Sequence, residues 1–432
     1  MVNINGRNQY NNGVVLPDET LKDMFRAWSR ERNGRGLTYE EQIARLAKEG
    51  VFIKRSALVK LRRRLQVPSV RKSKKPLEHH IGAVVDLKAN DPLDLWGVDQ
   101  VRGRLAQLEV LLPRDDLRRI LHDHFDDGFA KRFPGRNRQD LPRTPLYCAG
   151  PWAQVHCDGH EKLSSQALKI GAVSLEIYGY KDQFSSNALH LVLAPGIRRE
   201  LVIGHVYLDW VELKGVVALQ QVMDKGSETG LMIRLHEALR VDAAPEFSVH
   251  DYPPTIQVQS KHNTPIEGFW RWLRRGEGMN IRDIIIRGYN EGRFDPNNAL
   301  HIATFNWLWP PLVQQRLDAY REYWNSHTIR KQPEKMLPSG HTPHHMLTVP
   351  ESVDLFARDC SIRVRMAKVR ELRSQIGGYV MRNELLQFVS EEFRATADDA
   401  LLSIGNPAIT LMNAWDIFDS VVDVLKTASD YI

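Results

Sequence analysis

A chain of 432 residues predicts two to four domains, and 42% hydrophobic with 26% charged residues is a normal globular composition. No apolar run approaches the ~20 residues of a membrane span, MVNINGRNQYNNG lacks the apolar core of a secretory signal, and three cysteines exclude a disulfide framework and fit a reducing compartment. The net charge of +6 is unevenly spread: residues 1–75 hold 18 Lys/Arg against 7 Asp/Glu, about +11, leaving 41 bases against 46 acids elsewhere. A basic front on a mildly acidic body predicts that the N-terminal end holds a polyanion.

Residues 1–17 read as a disordered leader. A basic helical module is expected over 18–76. In it Asp18 caps a helix through Arg30, with Leu21, Met24, Phe25 and Trp28 as its apolar stripe. Thr38 and Glu41 have capping-box spacing for a second helix through Lys48. Gly50 supplies a turn, and Ser56 opens a third helix that buries Leu58, Leu61 and Leu65 and presents Lys60, Arg62, Arg63 and Arg64. Helix, turn and basic helix form the pattern of a helix-turn-helix DNA reader. RKSKKP at 71–76 is a short basic linker, of the kind that serves as a phosphate clamp or a nuclear-import signal. A second small helical module is expected over 90–125, with Pro113 opening its last helix, and a basic Pro/Gly/Arg linker over 126–150.

From about residue 152 the pattern changes. VHCDG, VSLEIYGYKD, ALHLVLAP and VVALQQVMD are short, apolar and rich in β-branched residues, as strands are. Residues 198–213, 228–241 and 264–275 have helical spacing. Strands first, then alternating helices and strands, predict a mixed α/β layer fold over 151–345. Residues 346–432 read as helical, chiefly LRSQIGGYVMRNELLQFVSEEF and NAWDIFDSVVDVLKTASDYI.

Three acids stand out in this α/β segment. Asp158 closes the apolar segment WAQVHCD, Asp224 ends VVALQQVMD before the turn KGSETG, and Glu267 follows HNTPI, where Asn263 or Thr264 can cap a helix and Pro265 fits its first turn. Two strand-end carboxylates and one helical carboxylate can converge on one sheet edge. Oxygen ligands of this kind suit Mg²⁺ or Mn²⁺, and a pair of such ions can activate a nucleophile and stabilise the leaving oxygen of a phosphodiester. His156, His160 and His262 flank the acids, Asp182 and Glu228 are further nearby carboxylates, and Lys225, Arg271 and Arg274 are placed to meet phosphates.

The order of these fragments resembles the DDE integrase/transposase superfamily, and in particular the integrase core domain proteins of fungal and other eukaryotic genomes. Trp152 precedes Asp158; Asp182 and Ser185 stand in YKDQFSS; Asp224, Lys225 and Gly226 form an Asp-x-Gly turn; HNTPIEGFWRWLR carries Glu267; and Tyr323, Asn325, Arg330, Thr342 and Pro343 form a closing signature. The resemblance implies an RNase H-like core with a mixed five-stranded sheet. It also implies a catalytic triad of Asp158, Asp224 and Glu267 binding two Mg²⁺ or Mn²⁺ ions, and DNA end processing followed by strand transfer. DNA ends and target DNA are the implied partners, with a homo-oligomer, no membrane and a nuclear location. Sixty-five residues separate the first two acids and 42 the last two, more than the retroviral pattern, which places extra length in VDAAPEFSVHDYPP. A domesticated DNA-binding protein and a metal-dependent nuclease of the same fold remain alternatives.

Many integrases carry a His/Cys zinc module. Here His79 and His80 are adjacent and Cys148 and Cys157 have eight residues between them, so neither pair has zinc-ligand spacing and no structural zinc is expected.

Overall fold

The computed structural model describes residues 14–70, 77–125, 147–259, 263–333 and 335–429. Most of the expected leader, the RKSKKP linker, most of the 126–150 linker and His262 lie outside them. The chain divides into two compact units: Met1–Pro151 with Phe184–Asn187 and Glu322–Asp359, and Trp152–Gln183 with Ala188–Arg321 and Cys360–Ile432. Residues 322–345, counted above with the α/β segment, thus cluster with the N-terminal helices.

The first unit opens with α1 (Asp18–Arg30), α2 (Tyr39–Lys48) and α3 (Arg55–Arg64). Leu21, Phe25 and Trp28, one turn apart on α1, bury against Leu46, Leu58 and Leu65. The capping box of α2 forms: Glu41 N–H donates to Thr38 Oγ1 and Thr38 N–H to Glu41 Oε2. Gly50 turns the chain at φ +75°. Asp18 does not cap α1, because Pro17 holds that position; its carboxylate instead accepts two bonds from Arg64. A second cluster joins α4 (Leu77–Lys88), α5 (Val98–Gln107) and α6 (Arg114–His124) around Val84, Trp96, Leu105 and Leu117. Helix α4 begins ahead of the expected start at residue 90.

In the second unit the strands are β1 (Gln154–His160), β2 (Ile177–Asp182), β3 (Ala188–Leu193), β4 (Val216–Val217), β5 (Gln220–Asp224), β6 (Thr255–Val258) and β7 (Ile362–Arg363). Five form a mixed sheet in the order β3-β2-β1-β5-β6, antiparallel across β3, β2 and β1 and parallel across β1, β5 and β6. The helices between them are α7 (Ser165–Leu168), α8 (Glu200–Lys214), α9 (Gly230–Ala243), α10 (Thr264–Leu273), α11 (Met279–Asn290) and α12 (Ala299–Ser326).

Alternation along β2 sorts the helices onto two faces. Tyr178 and Tyr180 point to one face, where both hydroxyls meet Met232 of α9 and the Tyr180 ring stacks on Trp210 of α8. Gly179 points to the other, and a Cβ there would lie 2.5 Å from the Trp270 ring of α10. Only glycine leaves room for that indole against the sheet.

The 28-residue helix α12 contains Pro310 and Pro311, whose missing N–H groups disguise the segment as a break. The segment LRSQIGGYVMRNELLQFVSEEF is helical, as expected, and is shared among three helices, Met366–Gln375, Gly378–Leu386 and Glu391–Ser403. Gly377 and Gly378 break it at φ +98° and +70°, and Ser390 caps a new start by accepting from Phe393 N–H. Among the described residues, no helix is long and apolar enough to cross a membrane.

Candidate functional site

Strand register brings the two aspartates together. β1 and β5 run parallel with Gln154 beside Gln220 and His156 beside Val222, an offset of 66 residues that carries Asp158 alongside Asp224. Asp224 ends β5, as its sequence suggests, but Asp158 is the fifth of seven residues in β1 rather than a strand end. Asp158 also pairs across β1–β2 with Gly179, so it faces the side on which Trp270 lies.

Glu267 comes from α10. Pro265 occupies the first turn and Glu267 N–H donates to the Asn263 carbonyl oxygen, which puts the carboxylate at the helix start. The Asn263 side chain does not cap this helix. It is buried against β1, its Nδ2 donating to the Cys157 carbonyl oxygen (3.3 Å) and its Oδ1 lying 2.6 Å from His156 Nδ1. His156 Nε2 lies 2.6 Å from Gln183 Oε1. His156 is therefore a buried brace between α10 and the sheet, and burial lowers its pKa to about 4.

One turn beyond Glu267, Trp270 Nε1 donates to Asp158 Oδ2 at 2.9 Å, and the His160 ring stacks on the indole at 4.9 Å. Asp158 Oδ1 accepts from the Gly159 N–H. Asp158, Asp224 and Glu267 line one cavity of about 320 Å³, with His160, Glu228, Lys162 and Arg198 also on its wall. Burial, reinforced by the charges of Asp224 and Glu267 and opposed by the Trp270 bond, raises the Asp158 pKa to about 7. Three carboxylates on one cavity form an all-oxygen donor set, which fits a hard divalent cation.

The other sequence-derived residues are more dispersed. Lys225 is exposed in the turn after Asp224, and Arg271 and Arg274 are exposed on or beside α10, outside the cavity wall. Asp182 is fully buried and accepts from the Trp152 N–H at 2.7 Å, holding a left-handed turn (φ +64°) ahead of β1. Of the tryptophans, Trp270, Trp307 and Trp309 are buried and Trp272 is 59% exposed. In α3, Lys60, Arg63 and Arg64 are exposed, but Arg62 turns inward: it donates to Gln42 Oε1 at 2.7 Å and lies over the Phe25 ring. Sequence reasoning missed Lys162, Arg198, Gly179 and the indole N–H of Trp270, because single basic residues, a strand glycine and a core tryptophan carry no motif.

Mixed sheet, flanking helices and a carboxylate-lined cavity define an RNase H-like core. Residues 237–351 match the family model described as integrase core domain, consistent with the DDE integrase/transposase superfamily. The match takes in Glu267 and the signature at 323–343; Asp158 and Asp224 precede it. Integrase core domains belong to polynucleotidyl transferases that cut and join DNA and normally use divalent metals. No curated protein matches the chain.

Proposed function

We propose that this protein is a polynucleotidyl transferase that processes DNA ends and joins them to a target, with Asp158, Asp224 and Glu267 as its catalytic residues. The observation that carries this reading is the convergence of all three carboxylates on one cavity. They would hold two Mg²⁺ or Mn²⁺ ions, which supply activation of the attacking oxygen and stabilisation of the leaving 3′ oxygen.

The chain's own groups prepare the site. Trp270 and Gly159 each hold one oxygen of Asp158, fixing the carboxylate plane. Asn263 ties the helix bearing Glu267 to β1, so the acids keep their spacing as DNA enters. Lys162 and Arg198 on the wall, with exposed Lys225, Arg271 and Arg274 beyond it, supply charge for the DNA backbone. Lys60, Arg63 and Arg64 on α3 offer a second basic face, in keeping with a helix-turn-helix reader.

The test is Mn²⁺-dependent nicking of supercoiled plasmid and joining of labelled duplex ends, substrates that demand no particular end sequence. Wild-type protein should nick and join, and Asp224→Asn should do neither. Nicking without joining favours a nuclease, and tight DNA binding with no strand chemistry favours a domesticated binding protein.

A further inference from the structure

In the first unit, three potential metal ligands meet away from the carboxylate cavity. Glu41 on α2, His341 and His345 each direct a ligand atom into one small region, all within 4.8 Å of one another. The histidines stand four residues apart, His341 just before the helix Pro343–Thr348 and His345 within it. Their rings are nearly parallel, 5.6 Å between centroids.

The ligand atoms are held in place. Glu41 Oε2 is occupied by the Thr38 N–H (2.8 Å) and Arg32 Nη1 (3.0 Å), which leaves Oε1 toward His341 Nδ1 at 2.9 Å. His345 is fully buried; its Nε2 lies 2.8 Å from Ser352 Oγ, and its Nδ1 is buried with no hydrogen-bond partner. An orphaned imidazole nitrogen beside a carboxylate and a second imidazole is costly unless something binds it. The second ring nitrogen on a hydroxyl is the kind of outer contact that orients a metal-bound histidine.

We propose that Glu41, His341 and His345 form a transition-metal site, with Zn²⁺ as the preferred ion. Imidazole donors favour zinc over magnesium. Bonds of about 2.0–2.1 Å in a tetrahedron set ligand atoms about 3.3 Å apart, so modest side-chain adjustment within the observed spread closes the site. Solvent supplies the fourth ligand on the side of half-exposed His341. The neighbouring cations are already paired, Arg32 with Glu41 and Arg45 with Glu31. The ion would staple the integrase signature segment to the N-terminal helices, since Thr342, between the two histidines, already donates to Glu31.

The experiment is Zn²⁺ titration of the full-length, tag-free, chelator-treated protein in excess Mg²⁺, with Co²⁺ optical spectra as a second readout. Wild type should bind one tight equivalent and give the visible bands of a tetrahedral Co²⁺ site. His341→Gln and Glu41→Gln should each weaken binding at least about tenfold, while Glu267→Gln should bind as wild type. His341 is partly exposed, so H341Q decides the matter even if a variant at a buried position fails to fold. No tight equivalent in wild type, or wild-type affinity in H341Q, would overturn the proposal; loss in E267Q instead would move the zinc to the carboxylate cavity and overturn it equally.

Discussion

Trp270 and Asp158 are joined by a hydrogen bond of 2.9 Å from the indole Nε1 to Oδ2. That bond couples the helix carrying Glu267 to the strand carrying Asp158, so one side chain both packs the core and aims a proposed ligand. Replacing Trp270 with Phe keeps most of the apolar contact and removes the donor. The expected outcome is a stability loss of about 1–3 kcal/mol at pH 8, since a bond to a charged group is lost, with a higher Asp158 pKa. Denaturant unfolding and an NMR titration of labelled aspartate check both.

Asp158 also sets a pH dependence. Its folded pKa of about 7 lies above the ordinary aspartate value of 3.8, so the folded state holds the proton more tightly than the unfolded chain. The stability from this group is fully present below about pH 4 and is lost as pH rises through 7. Metal-free protein should therefore lose on the order of 4 kcal/mol between pH 4 and 8 from this group. Asp158→Asn should flatten that slope, and Mg²⁺ should offset the loss in wild type. Thermal melts across the pH range with and without Mg²⁺ measure it.

Gly179 makes room for the indole. An alanine there would place its Cβ 2.5 Å from the Trp270 ring, so the ring must move. Gly179→Ala should cost about 1–3 kcal/mol through overpacking and weaken Mn²⁺ binding even though residue 179 bears no ligand. Isothermal titration against wild type separates this from a change confined to stability.

Asn263→Ala should leave His156 and the Cys157 carbonyl without their partner. A loss of about 1–3 kcal/mol is expected from the unmet groups. DNA nicking should fall further than the unfolded fraction explains, because the start of α10 loses its tie to β1.

Much of the α/β core is legible in the residues. Short apolar runs mark β1, β2, β3 and β5, and Asn-Thr-Pro marks the start of α10. The adjacency of Asp158 and Asp224 is not, because it depends on a parallel register set by distant pairing. Trp270 reads as core, and it is core; periodicity says nothing of where an indole N–H points. Pro310 and Pro311 disguise a continuous helix, and Gly377 and Gly378 break one that looks continuous. Arg62 has the sequence of a basic face and the surroundings of a core residue. The histidines of the zinc proposal do stand at a His-x₃-His spacing in the sequence; what the sequence hides is their carboxylate partner, 300 residues away.

Everything proposed for DNA chemistry depends on the three acids forming one divalent-cation site. The most direct measurement is a Mn²⁺ titration followed by electron paramagnetic resonance, on wild type, Asp158→Asn, Asp224→Asn and Glu267→Gln, each checked for native folding. Wild type should bind Mn²⁺ saturably, and every one of the three variants should bind it markedly more weakly. Equal Mn²⁺ binding by all four folded proteins would contradict the shared site.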